Sequence, residues 1–254
     1  VELLIVPPAE FQALIASGSI EGTPWLVMER IEGTRLADAA ARAPLPVAEV
    51  VGLTAAVAAA VHDLHRQNVI HLDLKPGNVL LRENGTAVLV DFGLARHAEL
   101  PDLVEEAFAL PAGTGAAISP EQLAGIRSDA RSDIFAIGVI LYELATGELP
   151  FGAPASDAGM RQRLWMDPRP LRARREDIPP WLQEVVLRCL EPEAAQRHSS
   201  AAHLAFDLTH PDHVTVTERG QRTQGTGFRE HFKRWIRAAG KHYQPSQKPT
   251  QQID

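Results

Sequence analysis

The stretch His71-Leu-Asp-Leu-Lys-Pro-Gly-Asn78, followed at a short distance by Asp91-Phe-Gly93, constrains this chain more than any other part of it. Pro76-Gly77 and Asn84-Gly85 are turn dipeptides, and the runs on either side of Asn84-Gly85 are short and apolar. That pattern predicts two strands joined by a tight turn, a hairpin that carries Asp91 back beside Asn78. Two strongly apolar helical stretches flank the region, one from Pro46 to Arg66 and one from Ser132 to Thr146, the second closed by Gly147 and Pro150. Shorter amphipathic helices are expected over Trp181 to Leu190 and Ser199 to Leu208. Upstream, Phe11-Gln-Ala-Leu-Ile-Ala and Pro24-Trp-Leu-Val-Met are β-like. Ser17-Gly18 and Glu21-Gly22-Thr23 between them carry turn chemistry, which predicts a second hairpin.

Composition narrows the functional classes. A net charge of −7 argues against a general nucleic-acid partner, which wants a basic surface. No apolar run is expected to span a membrane. The single cysteine, Cys189, excludes a disulfide framework and any cysteine-built zinc site, and its apolar helix makes it a small buried hydrophobe. Of the 25 basic residues only Lys75, Lys233, Lys241 and Lys248 are lysine, so the first 74 residues contain none. The isolated Lys75 falls inside the stretch singled out above.

Those residue types suit phosphoryl transfer from a nucleoside triphosphate. The chemistry needs a base near the acceptor hydroxyl, a cation at the transferring phosphate and oxygen ligands for magnesium. Asp73 can orient a hydroxyl and accept its proton, and Lys75 can reach the phosphate as a point charge. Asn78 offers a neutral oxygen to one Mg²⁺, and Asp91 a carboxylate that bridges the metals. Taken alone, each aspartate reads as a turn former, the commoner role for an Asp in a loop.

In these motifs the chain resembles a protein-kinase domain of the bacterial Ser/Thr type. Gly113-Thr114 and Ser119-Pro120-Glu121 resemble the end of an activation segment, and Asp133 the buried aspartate that holds the catalytic loop from below. Arg197 resembles the arginine that ion-pairs with Glu121. Leu26-Val-Met-Glu-Arg-Ile-Glu-Gly33 is similar to the strand and hinge that grip adenine. The resemblance covers roughly residues 11 to 208.

It implies an α+β, protein-kinase-like fold with a mainly helical large lobe over 34–210. The remnant of a β-rich small lobe and hinge would lie over 1–33, and a basic amphipathic helix and linker over 211–254. It implies ATP with Mg²⁺, or Mn²⁺ in its place, and protein Ser/Thr hydroxyls as substrates in the cytoplasm. Asp73, Lys75 and Thr114 are the implied catalytic residues, Thr114 bonding Asp73 and Lys75 unless it is a plain loop threonine. Met28 (gatekeeper), backbone groups of Glu29 and Ile31, Lys75, Asn78, Leu80 and Asp91 would hold the nucleotide, with Asn78 and Asp91 on the metal. His71 is implied to pack below the site. His62 and His65 are surface or packing histidines.

Departures matter as much. No G-x-G-x-x-G precedes the hinge and no lysine lies there, and the partner glutamate would fall near Glu2 or before Val1. Both ends are abrupt, so the expectation is a fragment of a longer chain, with a further C-terminal domain beyond the linker. Leu72 stands where many kinases carry arginine, leaving one cation fewer for an activation-loop phosphate, so activity is expected not to be gated that way. Ala117 stands where relatives commonly carry an aromatic. Two other readings remain open: a pseudokinase or nucleotide-binding interaction module, and a small-molecule phosphotransferase of the aminoglycoside type.

Overall fold

The computed structural model describes residues 11–102, 115–153, 157–164 and 166–224. Its first element is a hairpin, β1 (Leu14–Ile20) and β2 (Thr23–Met28), turned at Glu21-Gly22. Both turn residues have positive φ, 51° and 81°, which matches the right-handed strand twist of a two-residue loop. Ser17-Gly18, equally turn-like in sequence, lies instead inside β1. Gly18 pairs with Trp25, and a Cβ there would sit 2.4 Å from the indole, so the missing side chain makes room for a ring rather than for a bend.

A second sheet is built from β3 (Thr34–Arg35), β5 (Val79–Leu81) and β6 (Ala87–Leu89) in the order β3-β5-β6, all antiparallel. Short strands β4 (Val69–Ile70) and β7 (Arg96–His97) pair separately. Gly33, just before β3, adopts φ +153°, and a Cβ on it would meet the Leu81 carbonyl at 2.3 Å. Only glycine lets the hinge pass that close to β5.

The helices are α1 (Leu36–Ala40), α2 (Val47–Arg66), α3 (Pro120–Leu123), α4 (Arg131–Thr146), α5 (Asp157–Arg161), α6 (Pro180–Cys189), α7 (Ala201–Thr209) and α8 (Glu218–Gln221). The core forms around α4, whose residues from Ser132 to Tyr142 are all buried, with α2, α6 and α7 packed about it and each other. Gly138 lets α6 approach, since a Cβ would lie 2.6 Å from that of Cys189. By length and composition α2 could cross a membrane, but Val50, Val57, Ala58, Val61 and Leu64 pack into this core. Burying the valines and the leucine contributes about 1.5–3 kcal/mol each. Helix α4 ends at Gly147 in the left-handed conformation, φ 73°, as its sequence predicts.

Beyond α7 the chain folds back on α6. The Glu184 carboxylate accepts from the backbone N–H of Thr217 and Gly220 at 3.0 and 2.9 Å and from the Thr217 hydroxyl at 2.8 Å. The Gln183 amide donates to the carbonyls of Arg219 and Arg222. Residues 225–254, which include the expected basic helix, lie outside the described residues.

Candidate active site

The catalytic loop runs from β4 to β5 and is held from below. Asp133, in the first turn of α4 and 1% exposed, accepts the backbone N–H groups of His71 and Leu72, each at 2.9 Å. The same carboxylate meets His65 Nε2 at 2.8 Å. Burial by itself would raise the Asp133 pKa. The His65 bond and charge, with the His71 N–H, outweigh it and hold the acid below its ordinary 3.8. Leu72 sits at φ 63°, a conformation strained for a leucine, and its carbonyl accepts from the Gln122 amide at 2.8 Å. His71 is fully buried. Its Nε2 lies 3.1 Å from the Val90 carbonyl and its Nδ1 takes the Asp73 N–H at 3.4 Å, so Nε2 is the ring donor and Nδ1 the acceptor. His65, on the sequence a surface or packing histidine, is therefore an anchor of this loop.

Above this base lie the chemical groups. Asp73 is 9% exposed, and Lys75 Nζ meets its Oδ2 at 2.7 Å. Asn78 Nδ2 donates to the Asp73 carbonyl at 3.0 Å and to Asp73 Oδ2 at 3.2 Å. Both of those acceptors are oxygens, so the amide nitrogen must face them and Asn78 Oδ1 keeps its lone pairs for a cation. The hairpin does what its turn predicts. Val79 pairs with Leu89, Leu80 with Val88, and the Val90 N–H donates to the Asn78 carbonyl at 3.0 Å, which brings Asp91 beside Asn78. Asp91 is exposed and left-handed, φ 65°, with Phe92 packed on the His71 ring at 5.2 Å between centroids. A neutral amide oxygen and one exposed carboxylate suit Mg²⁺, which prefers few protein ligands with phosphate oxygens and water completing its shell.

At the hinge, Glu29 N–H donates to the Ala13 carbonyl at 2.8 Å and the Glu29 carbonyl accepts from Gln12 Nε2 at 2.8 Å. That carbonyl retains a second lone pair. Ile31 makes no backbone hydrogen bond among the described residues. Met28 is 46% exposed and Leu80 half-buried. Thr114 and Gly113 lie outside the described residues.

The far end of the segment after Gly93 is locked into the helical lobe. Ser119 caps α3, accepting from the Gln122 N–H at 3.3 Å while the Gln122 side chain accepts from the Ser119 N–H at 3.0 Å. Arg197, fully buried at its side chain, grips Glu121 through two bonds of 2.7 and 2.8 Å, and the Ser132 hydroxyl adds a third at 2.7 Å. Sequence reasoning missed Arg163. It is wholly buried, donates to the carbonyls on either side of Ala117 (Ala116 at 3.3 Å, Ile118 at 2.6 Å) and lies over the Phe151 ring. Burial pushes its guanidinium down to about 10 from 12.5. No local pattern marks such a residue. Cys189 is fully buried and its thiol is pushed up to about 12, which makes it inert as a nucleophile.

A carboxylate loop braced by a buried aspartate, a hairpin that sets an asparagine beside an aspartate, and a Glu–Arg pair anchoring the segment that follows define the large lobe of a protein kinase. The comparison with known proteins agrees. A family model described as a protein kinase domain matches residues 13–208, and the chain belongs to that family. The chain is similar to the serine/threonine-protein kinase PknB of Mycolicibacterium smegmatis, 34% identical over 208 residues that cover 79% of this chain and 33% of the relative. PknB of Mycobacterium leprae is 34% identical over 73% of this chain and 30% of its own length. PknL of Mycobacterium tuberculosis is 35% identical over 73% of this chain and 46% of its own length. The chain thus spans less than half the length of these curated relatives.

Proposed function

We propose that this chain carries the catalytic lobe of a Ser/Thr protein kinase, which moves the γ-phosphoryl group of ATP to a protein hydroxyl with Mg²⁺ as cofactor. The observation that carries the proposal is the hydrogen-bonded set Asp73–Lys75–Asn78, held beside Asp91 by the β5–β6 hairpin. Mg²⁺, when bound, would draw off charge from the phosphate oxygens. Asn78 Oδ1 and Asp91 would hold it on this chain. Asp73 orients the acceptor hydroxyl and takes its proton. Lys75 pairs with the Asp73 carboxylate at 2.7 Å and offers a positive charge where negative charge gathers during transfer. ATP as donor favours a cytoplasmic setting.

A protein acceptor, rather than a small molecule, is supported by the buried Glu121–Arg197 tie and by Arg163, which together shape the segment from Ala116 to Glu121. The relatives' names point the same way. The test is intact mass of the full-length protein after incubation with Mg-ATP and a mixed Ser/Thr protein acceptor, with Asp73→Asn as control. Phosphate-sized gains on protein, absent from the control, are expected. Transfer only to aminoglycosides, or nucleotide binding without any transfer, would replace this reading.

A further inference from the structure

Nine residues after Asp91 and its glycine run from Leu94 to Asp102, and three ties fix them. The Leu94 carbonyl accepts from Arg127 Nη2 at 2.7 Å. β7 pairs with β4, and the Ala98 N–H donates to the Asn68 carbonyl at 2.8 Å. The Asp102 carboxylate then accepts from Arg127 Nε at 2.8 Å, with Arg96 Nε 3.8 Å from the same oxygen. Arg127, in the connection between α3 and α4, is 9% exposed, so one buried guanidinium joins both ends of the segment. Leu72, three residues before Lys75, is buried and brings no charge to this neighbourhood.

Resting on the kinase reading above, we propose that Arg127 is a positioning residue for the metal-binding Asp91, with its charge met permanently by Asp102. The segment therefore reaches its working shape without an added phosphate. The physical case has two parts. Asp91 sits at φ 65°, a region that non-glycine residues seldom occupy, and the Arg127 bond lies three residues downstream at Leu94. A charge-assisted bond to a buried guanidinium is the strong kind, and removing either partner strands the other charge. Among the described residues, Arg127 Nη1 and Arg96 Nε make no hydrogen bond, so a phosphate is the rival occupant that the test must separate.

The experiment uses the full-length protein, dephosphorylated with a phosphatase and checked by mass. It compares wild type, Asp102→Asn, Arg127→Gln and Arg127→Lys by steady-state transfer and by amide hydrogen exchange. Dephosphorylated wild type should keep its initial rate. Asp102→Asn and Arg127→Gln should each lower kcat by about tenfold, the scale of coupling within one charged network. Acceptor KM should stay unchanged, exchange should quicken at Ala95 and Ala98, and Arg127→Lys should recover part of the loss. An initial rate abolished by dephosphorylation and restored by rephosphorylation would overturn the proposal, because the arginines would then be serving a phosphate. So would Asp102→Asn working at the wild-type rate. If wild type transfers nothing in either state, the kinase reading fails, and exchange alone decides the clamp: unchanged protection at Ala95 and Ala98 in Asp102→Asn sinks it.

Discussion

The catalytic loop and the β1–β2 hairpin are both short, both lie at the nucleotide side of the proposed site, and are built in opposite ways. In the loop, His71 and Leu72 are buried, Leu72 is left-handed, and the backbone of both bonds to partners far away in sequence. In the hairpin, the backbone is paired strand to strand with one register shift between Leu14 and Ala16, yet Leu14, Ile15, Ile20 and Leu26 are each more than half exposed. Regular local geometry thus goes with loose anchoring, and irregular geometry with tight anchoring. Where a left-handed residue is buried, as at Leu72, tertiary partners hold it, and the proposed chemistry sits on the loop that α4 holds rather than on the hairpin.

That contrast can be broken by substitution. The largest effect is expected from Asp73→Asn, which removes the proton acceptor while keeping the shape. Transfer should fall by about 10²–10⁴-fold with the melting temperature nearly unchanged. Equal rates in the two proteins would take catalysis off the loop. Next comes the anchor below. Asp133→Ala leaves two backbone N–H groups and His65 without their acceptor and should cost about 3–5 kcal/mol in denaturant unfolding. A loss within the range of a surface substitution would mean the loop holds itself.

A pH titration sharpens the same point. Asp133 has a folded pKa below its ordinary 3.8. The stability it contributes is therefore fully present above about pH 3.8 and is lost as pH falls through the lower folded value. Unfolding midpoints measured across that acid window should drop less steeply in Asp133→Asn than in wild type. The smallest effect belongs to the hairpin. Leu26→Gln, at a position 63% exposed, should shift stability by no more than about 0.5 kcal/mol. A larger loss would show that the hairpin is better packed in solution than its exposure implies.

Much of this was legible beforehand, because several devices are local. The Asn84-Gly85 turn, the closing Gly147 and the spacing of Asp73, Lys75 and Asn78 each act over a few residues. The Ser17-Gly18 turn was misread because glycine answers two demands, a bend or a close approach, and only the position of Trp25 distinguishes them. The role of His65 was invisible for a different reason: its partner lies 68 positions away, and nothing in a helical i, i+3 histidine pair points to it. Arg163 and Arg127 belong to the same class, buried guanidiniums that donate to carbonyls and one carboxylate from distant loops.

The sequence by itself therefore determined which chemistry the chain can hold and where its helices and hairpins fall, since periodicity, turn residues and motif spacing act at short range. Tertiary structure alone decided which charges are buried, and against what. It set His65 under Asp133, Arg163 beneath the carbonyls that flank Ala117, and Arg127 between Leu94 and Asp102. Desolvation makes each of those pairings matter, and desolvation is a property of the packed core that no stretch of sequence carries alone.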